Sequence, residues 1–418
     1  MHGQPTSSAD TKPSPRTTAR VDRLDALRGF ALFGILMVNG PLYGLTLYHD
    51  QVPTPSSWTS VDYLAHFVIG WLFESKFFVL FSFLFGYGTA MQMRSEGLTA
   101  SRPRLTRRML ALIVLGVLNG TFLFSGDILT VYGVLGLGFL YLLAPWLGDR
   151  PRRAGALAVG LLALQALIDL ATALPWVHAL LAFENPQALI ETAREAYRSE
   201  NLWNVAQHRH GDYRLSLLWE LTFMAPLIVA CIVAGWAAAS TRFLESEPFD
   251  LWARLFGRSP QRRLRAGLLV LTGLVGAFGY AWTSRRGQTF AELGNDPLAG
   301  PLYASHVVAS LALATGYVGM LAALERTTAG RVLYRLLAPL GRMSLSAYLA
   351  ESLLASLVFC GYGLGLYDRL GAGTVMLIGF GIYAAVLTFA HIWFRYARIG
   401  PVEWLLRSVT YLRLQALW

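Results

Sequence analysis

The 418 residues predict an all-α fold, a polytopic integral membrane bundle of helices, from three observations. Hydrophobic residues make up 55% of the chain and charged ones only 14%. Uncharged apolar runs long enough to cross a bilayer recur from end to end. The arginines and lysines fall in short clusters between those runs rather than along one polar face, which excludes a nucleic-acid surface even though the net charge is +10.

The runs predict ten crossings, at about 24–46, 76–93, 109–124, 128–147, 154–176, 216–240, 266–284, 300–324, 343–362 and 373–394. With both termini cytoplasmic, the inner segments hold 27 arginines and lysines and the outer segments 8. That asymmetry is what positive-inside orientation requires. It also decides the short apolar run 61–74: as a full crossing it would move the arginine-rich loop 94–108 outside. It is therefore expected to be an interfacial or re-entrant helix on the outer face.

Residues 1–20, rich in Ser, Thr and Pro, read as a disordered cytoplasmic tail. The first span is too long for a signal-peptide core and lacks a small-x-small cleavage site, so it is expected to be retained. The organisation then runs as an N-terminal membrane core of four spans (21–147), a fifth span with an outer cap segment (148–215), and a C-terminal core of five spans with a cytoplasmic tail (216–418). Within the cap segment Leu189, Ile190, Ala193 and Tyr197 share a helical stripe, the mark of an amphipathic helix lying on the outer mouth. No internal repeat is present, so one common sign of a secondary transporter is missing.

Polar groups inside apolar spans carry the functional signal, because each needs a partner or a task there. Asn39 lies eleven residues beyond Arg28, Asn119 eleven beyond Arg108 and Glu351 nine beyond Arg342, which places all three roughly 13 to 17 Å from the basic edge. A shared polar cavity is the expectation, although interhelical hydrogen bonding also accounts for either amide. Asp127, after Gly126 in a tight turn, reads as an N-cap for the next span and as a titratable group at the outer mouth. His49 follows the first span and offers an imidazole suited to general-base chemistry, or simply a solvated loop residue.

Lys76, beside Glu74, and the pair Arg285 and Arg286 lie on the outer side against the charge trend. They are candidates to hold an anionic group, or plain helix-end snorkels. Asp25 and Arg28, three apart on one helix face, read as a lock on the inner end of the first span. No metal is expected. His208 and His210 are a lone pair in a charged loop expected to face solvent, and Cys231 and Cys360 sit inside apolar runs as small core residues.

Several blocks in order carry a resemblance. They are Leu-Asp-Ala-Leu-Arg-Gly at 24–29 leading to Asn39, Phe81-Ser-Phe-Leu-Phe-Gly-Tyr-Gly88, Gly126-Asp-Ile-Leu with Tyr132, Gly341-Arg-Met-Ser-Leu-Ser-Ala-Tyr-Leu349, Gly361-Tyr-Gly-Leu-Gly-Leu366, and Gly400-Pro-Val-Glu-Trp404 running on to Thr410. Together they resemble the YeiB family of bacterial membrane proteins. Through Leu-Asp-x-Leu-Arg-Gly that family is in turn similar to transmembrane acyltransferases. Acyltransferase family three has a histidine where Asn39 stands; the lysosomal heparan-α-glucosaminide acetyltransferase has Asn there and a catalytic histidine about ten residues on, near His49.

The resemblance implies a bacterial cytoplasmic membrane protein that takes acetyl-CoA or another acyl-CoA as donor and a glycan, lipid or small natural product as acceptor. Asn39 and Asn119 would serve as oxyanion donors, His49 or Glu351 as the base, and Arg28 would meet the donor's phosphates. Two departures stand out: the family commonly has a histidine at Asn119 and an amide at Glu351. A transporter or exporter using Glu351 and Asp127 is the other reading.

Overall fold

The computed structural model describes residues 15–45, 57–94, 96–148, 150–172, 174–181, 183–245, 259–284 and 299–418. His49, Arg285 and Arg286 lie outside them. Every regular element among the described residues is helical. Nine helical stretches are long and apolar enough to cross a membrane, and a tenth apolar helix, Ser344–Phe359, is shorter. Each of the ten runs expected from the sequence overlaps one of these ten. Long apolar side chains such as Val159, Leu167, Leu268 and Val275 are exposed along them, as a lipid-facing surface requires.

The first helix, α1 (Pro15–Gly44), reaches back into the segment read as tail. α2 (Ser60–Val68) runs into a π turn, Ile69–Phe73, and then, after a break at Glu74 and Ser75, into α3 (Lys76–Met93). Together they form one continuous apolar stretch, Ser60–Met93, rather than two crossings. Asp62, at the start of α2, receives the Gly373 N–H at 2.9 Å. The run 61–74 is thus moored to the start of a later span.

α4 (Gly97–Phe122) and α5 (Leu129–Gly138) form a hairpin. A π turn and the short α6 (Ala144–Leu147) complete the return crossing, and α7 (Pro151–Thr172) follows. Beyond α8 (Pro175–Leu181), the expected amphipathic helix is α9 (Pro186–Tyr197), with Ala193 and Tyr197 buried. α10 (Leu202–Trp219) continues through a third π turn, Glu220–Met224, into α11 (Ala225–Ser240). This corrects the sequence reading: residues 202–215 are not loop but an extension of the sixth span, and Arg209 and Asp212 are buried in it rather than solvated.

α12 (Pro260–Ser284) and α13 (Ala299–Leu324) pair with each other. α14 (Thr328–Arg342), an amphipathic helix where only a connecting loop was expected, lies along the N-terminal half of α1. α15 (Ser344–Phe359), α16 (Ala372–Trp393) and α17 (Pro401–Tyr411) close the bundle. α1 packs on α14, α15 and α16 as well as on α3, so both halves of the chain share one core.

Two close approaches require glycine. A Cβ at Gly86 would collide with the Ile232 carbonyl and one at Gly235 with the Phe83 carbonyl, which locks α3 against α11; Gly29 and Gly341 play the same part between α1 and α14, against the Leu337 and Asp25 carbonyls.

A candidate buried polar site

The end of the bundle that carries Arg23, Arg94 and Arg342 is tied together by committed charges. Arg23 pairs with Glu325 at 2.7 Å and donates to the Leu244 carbonyl. Arg28 pairs with Asp25 at 3.1 Å, the expected lock. Glu403 accepts from the Leu345 N–H at 2.7 Å, the Ser346 N–H at 3.2 Å and the Ser346 hydroxyl at 2.5 Å, so its carboxylate caps the first turn of α15. Burial pushes the Glu403 carboxyl up, against the hydrogen bonds from Ser346 and Leu345 that hold it down.

Toward the opposite end the polar groups are arranged differently. The turn between α4 and α5 is drawn into the bundle, with Phe124, Ser125 and Asp127 buried. Asp127 Oδ1 accepts from Asn119 Nδ2 at 2.8 Å, and Oδ2 accepts from the Thr130 N–H at 3.0 Å and its hydroxyl at 3.2 Å. It caps α5 and fixes Asn119 at once. Burial raises its carboxyl to about 6, opposed by the hydrogen bonds from Thr130 and Asn119.

The Tyr348 hydroxyl stands 3.5 Å from both Asn119 Nδ2 and Asp127 Oδ1, bringing α15 to the turn. Tyr213 donates to the Thr130 hydroxyl at 2.9 Å. One helical turn beyond Tyr348, Glu351 is only 2% exposed, and its Oε1 has no hydrogen-bond partner among the described residues, nor has Asn119 Oδ1. Buried acceptors left in this state are costly in a fold and cheap to satisfy with a ligand.

A narrow cleft lies beside this layer, lined in part by Tyr43, Phe124, Tyr197, Arg209, Ser356 and Cys360. Tyr43 donates to the Ser352 hydroxyl at 2.8 Å, and its ring meets Phe124 at a tilt, centroids 4.1 Å apart. Arg209 donates to the Phe122 carbonyl, to Ser356 at 3.2 Å and to Cys360 Sγ at 2.8 Å. It also lies over the Tyr197 ring, whose hydroxyl donates to Asp212.

The structure therefore joins Asn119 to Asp127 and sets Glu351 a turn from Tyr348, on the same helix. No hydrogen bond links the expected trio: Asn39 is half-buried and makes no side-chain hydrogen bond among the described residues. Lys76 is not a headgroup anchor either. It is fully buried, donating to the Gly70 carbonyl at 2.9 Å with His306 Nε2 at 3.5 Å. Tyr280 stacks on that histidine and donates to Glu74 at 3.1 Å. His210 bonds Thr121 and His208 faces Asp212; no group of metal-ligating side chains occurs among the described residues.

Tyr348, Arg209, Thr130 and His306 were missed in the sequence. Tyr348 had a signal, since it ends a polar-bearing block one turn before Glu351. Arg209 had none beyond a charge in a segment taken for loop.

The helices and this enclosed polar layer define a multi-pass membrane protein with a polar interior. A family model described as "Protein of unknown function (DUF418)" matches residues 251–413. Uncharacterized protein YxaH of Bacillus subtilis is 29% identical over 96% of both chains, and uncharacterized protein YeiB of Escherichia coli is 26% identical over 93% of this chain and 95% of its own. An uncharacterized 39.9 kDa protein in the amylase 3' region of Bacillus acidopullulyticus is 26% identical over 94% of both. The chain is thus similar, over nearly its whole length, to YeiB and YxaH. No solved structure matches it.

Proposed function

We propose that the chain is an acyltransferase of the bacterial cytoplasmic membrane, moving an acyl group, chiefly acetyl, from an acyl-CoA to a hydroxyl or amine of a glycan, lipid or small natural product. The observation that carries the reading is Glu351, a buried carboxylate with a free oxygen one turn from a Tyr348–Asn119–Asp127 constellation. The acceptor's oxygen or nitrogen attacks the thioester carbonyl carbon and Glu351 takes its proton. The carbonyl electrons move onto oxygen, met by the second N–H of Asn119 and the Tyr348 hydroxyl. The C–S bond then breaks, and the thiolate leaves as free CoA thiol on receiving the proton. Asp127 is a positioning residue that holds Asn119. His49 is a second candidate for the base, and the family's histidine at position 119 is replaced here by an amide with no basic nitrogen.

Purified protein in nanodiscs should release CoA from acetyl-CoA and transfer labelled acetyl to acceptors in a membrane extract. Both termini are proposed to be cytoplasmic, so an Ala100→Cys variant should resist impermeant thiol reagents in intact cells. A second reading, a transporter or exporter, is favoured by the buried Lys76 and His306 beside a break in an apolar span. It wins if no short acyl-CoA binds while substrate flux is measured in proteoliposomes.

A further inference from the structure

α17 lies along the basic end of α4. Arg107 Nε donates to the Thr410 carbonyl at 2.8 Å, and the Arg104 guanidinium lies 5.5 Å from the Tyr411 ring centroid. This packing brings Arg108 toward Arg407, one turn earlier on α17, and the charges of Arg407 and of Arg28 on α1 both act on it. Arg108 makes no hydrogen bond among the described residues, and its Nε is buried without a partner. Arg407 is exposed and Arg28 is about a third open, its side chain 30% exposed.

The charge of Glu403 reaches Arg108, but the nearby acids are already engaged. Glu403 is spent on the first turn of α15 through both oxygens, and Asp25 serves Arg28. Three guanidinium groups thus lie together at a half-buried place with two carboxylates in range, Glu403 and Asp25, both already engaged. Like charges held together in a partly desolvated site repel unless an anion sits among them.

We propose that Arg28, Arg108 and Arg407 form a binding site for a phosphate-bearing anion, enclosed by α1, α4 and α17. The guanidinium fork matches phosphate oxygens in pairs, and Arg108, half-buried with its Nε enclosed, supplies the floor while Arg28 and Arg407 form the open rim. The anion is either a lipid phosphate or the phosphate of a soluble nucleotide-like ligand. The site stands on the arginines alone; only the soluble source would tie it to the acyl-CoA reading.

Both sources are separable on purified protein in phosphatidylcholine nanodiscs. One arm titrates phosphatidylglycerol into the discs and follows lipid retention by native mass spectrometry. The other titrates adenosine 3',5'-bisphosphate, which has phosphates but no thioester, by calorimetry. In the arm that matches the true source, Arg108→Gln and Arg407→Gln should each weaken binding about tenfold. Arg407→Gln, at an exposed position, keeps the test valid if Arg108→Gln fails to fold. Equal binding of both probes to wild type and Arg407→Gln, or no binding of either, overturns the proposal. Probe binding without any CoA release would retain this site and remove the acyltransferase.

Discussion

The two ends of the bundle use charge in opposite ways. At the basic end Arg23, Glu325 and Glu403 are each given to a partner across helices and Asp25 to Arg28 on its own helix, and the close glycine contacts at Gly29 and Gly341 sit among them. In the polar layer beyond, Asp127 is satisfied, but Glu351 and Asn119 each keep a buried acceptor without a partner. The difference teaches where to look. Within the Leu-Asp-x-Leu-Arg-Gly block, Asp25 and Gly29 work here as architecture, while the unfinished hydrogen bonding lies some way along α4 and α15.

The contrast can be broken from either side. The largest expected effect is on assembly: Gly341→Val would push α14 off the Asp25 carbonyl, and the variant should yield no monodisperse peak on size exclusion. Next is chemistry. Glu351→Gln should lower CoA release about a hundredfold, the usual scale for a lost general base, with the melting temperature unchanged. Full activity in that variant would make the polar layer structural.

Asp127 sharpens the comparison through pH. Its folded pKa of about 6 lies above that of an unfolded aspartate, so ionisation as pH rises through that range costs stability. The ionised form is nevertheless the better acceptor for Asn119. Activity should therefore rise with pH to a plateau above about 7, one unit past the midpoint, and Asp127→Asn should flatten that rise. The smallest effect is expected at the basic end, where Glu403→Gln should cost about 1 kcal/mol of stability through the weakened cap and leave the pH profile in place, as urea unfolding and activity assays would show.

Much of the fold was legible because hydropathy and charge asymmetry act over whole spans. What escaped was local. α14 was taken for loop because its four-arginine segment was read for charge, although Tyr334, Leu337, Ala338 and Gly341 lie on one buried face. The extension of α11 back to Leu202 was hidden by His208, Arg209, His210 and Asp212, polar residues that look solvated until partners from α9 and α15 are in place. Asn39 shares no hydrogen bond with Asn119 or Glu351 among the described residues, since equal depth along three helices does not fix the direction in which each side chain points.

The cap that Glu403 places on α15 also sets an order in time. The carboxylate lies 58 residues downstream of the Leu345 N–H it accepts, so α15 leaves the ribosome with its first turn open. That helix is shorter than the nine others that cross, and it carries both Tyr348 and Glu351. Its final register waits for the last helix of the chain to be made and docked. A nascent chain stalled before Gly400 would hold every apolar span and still lack a settled interior.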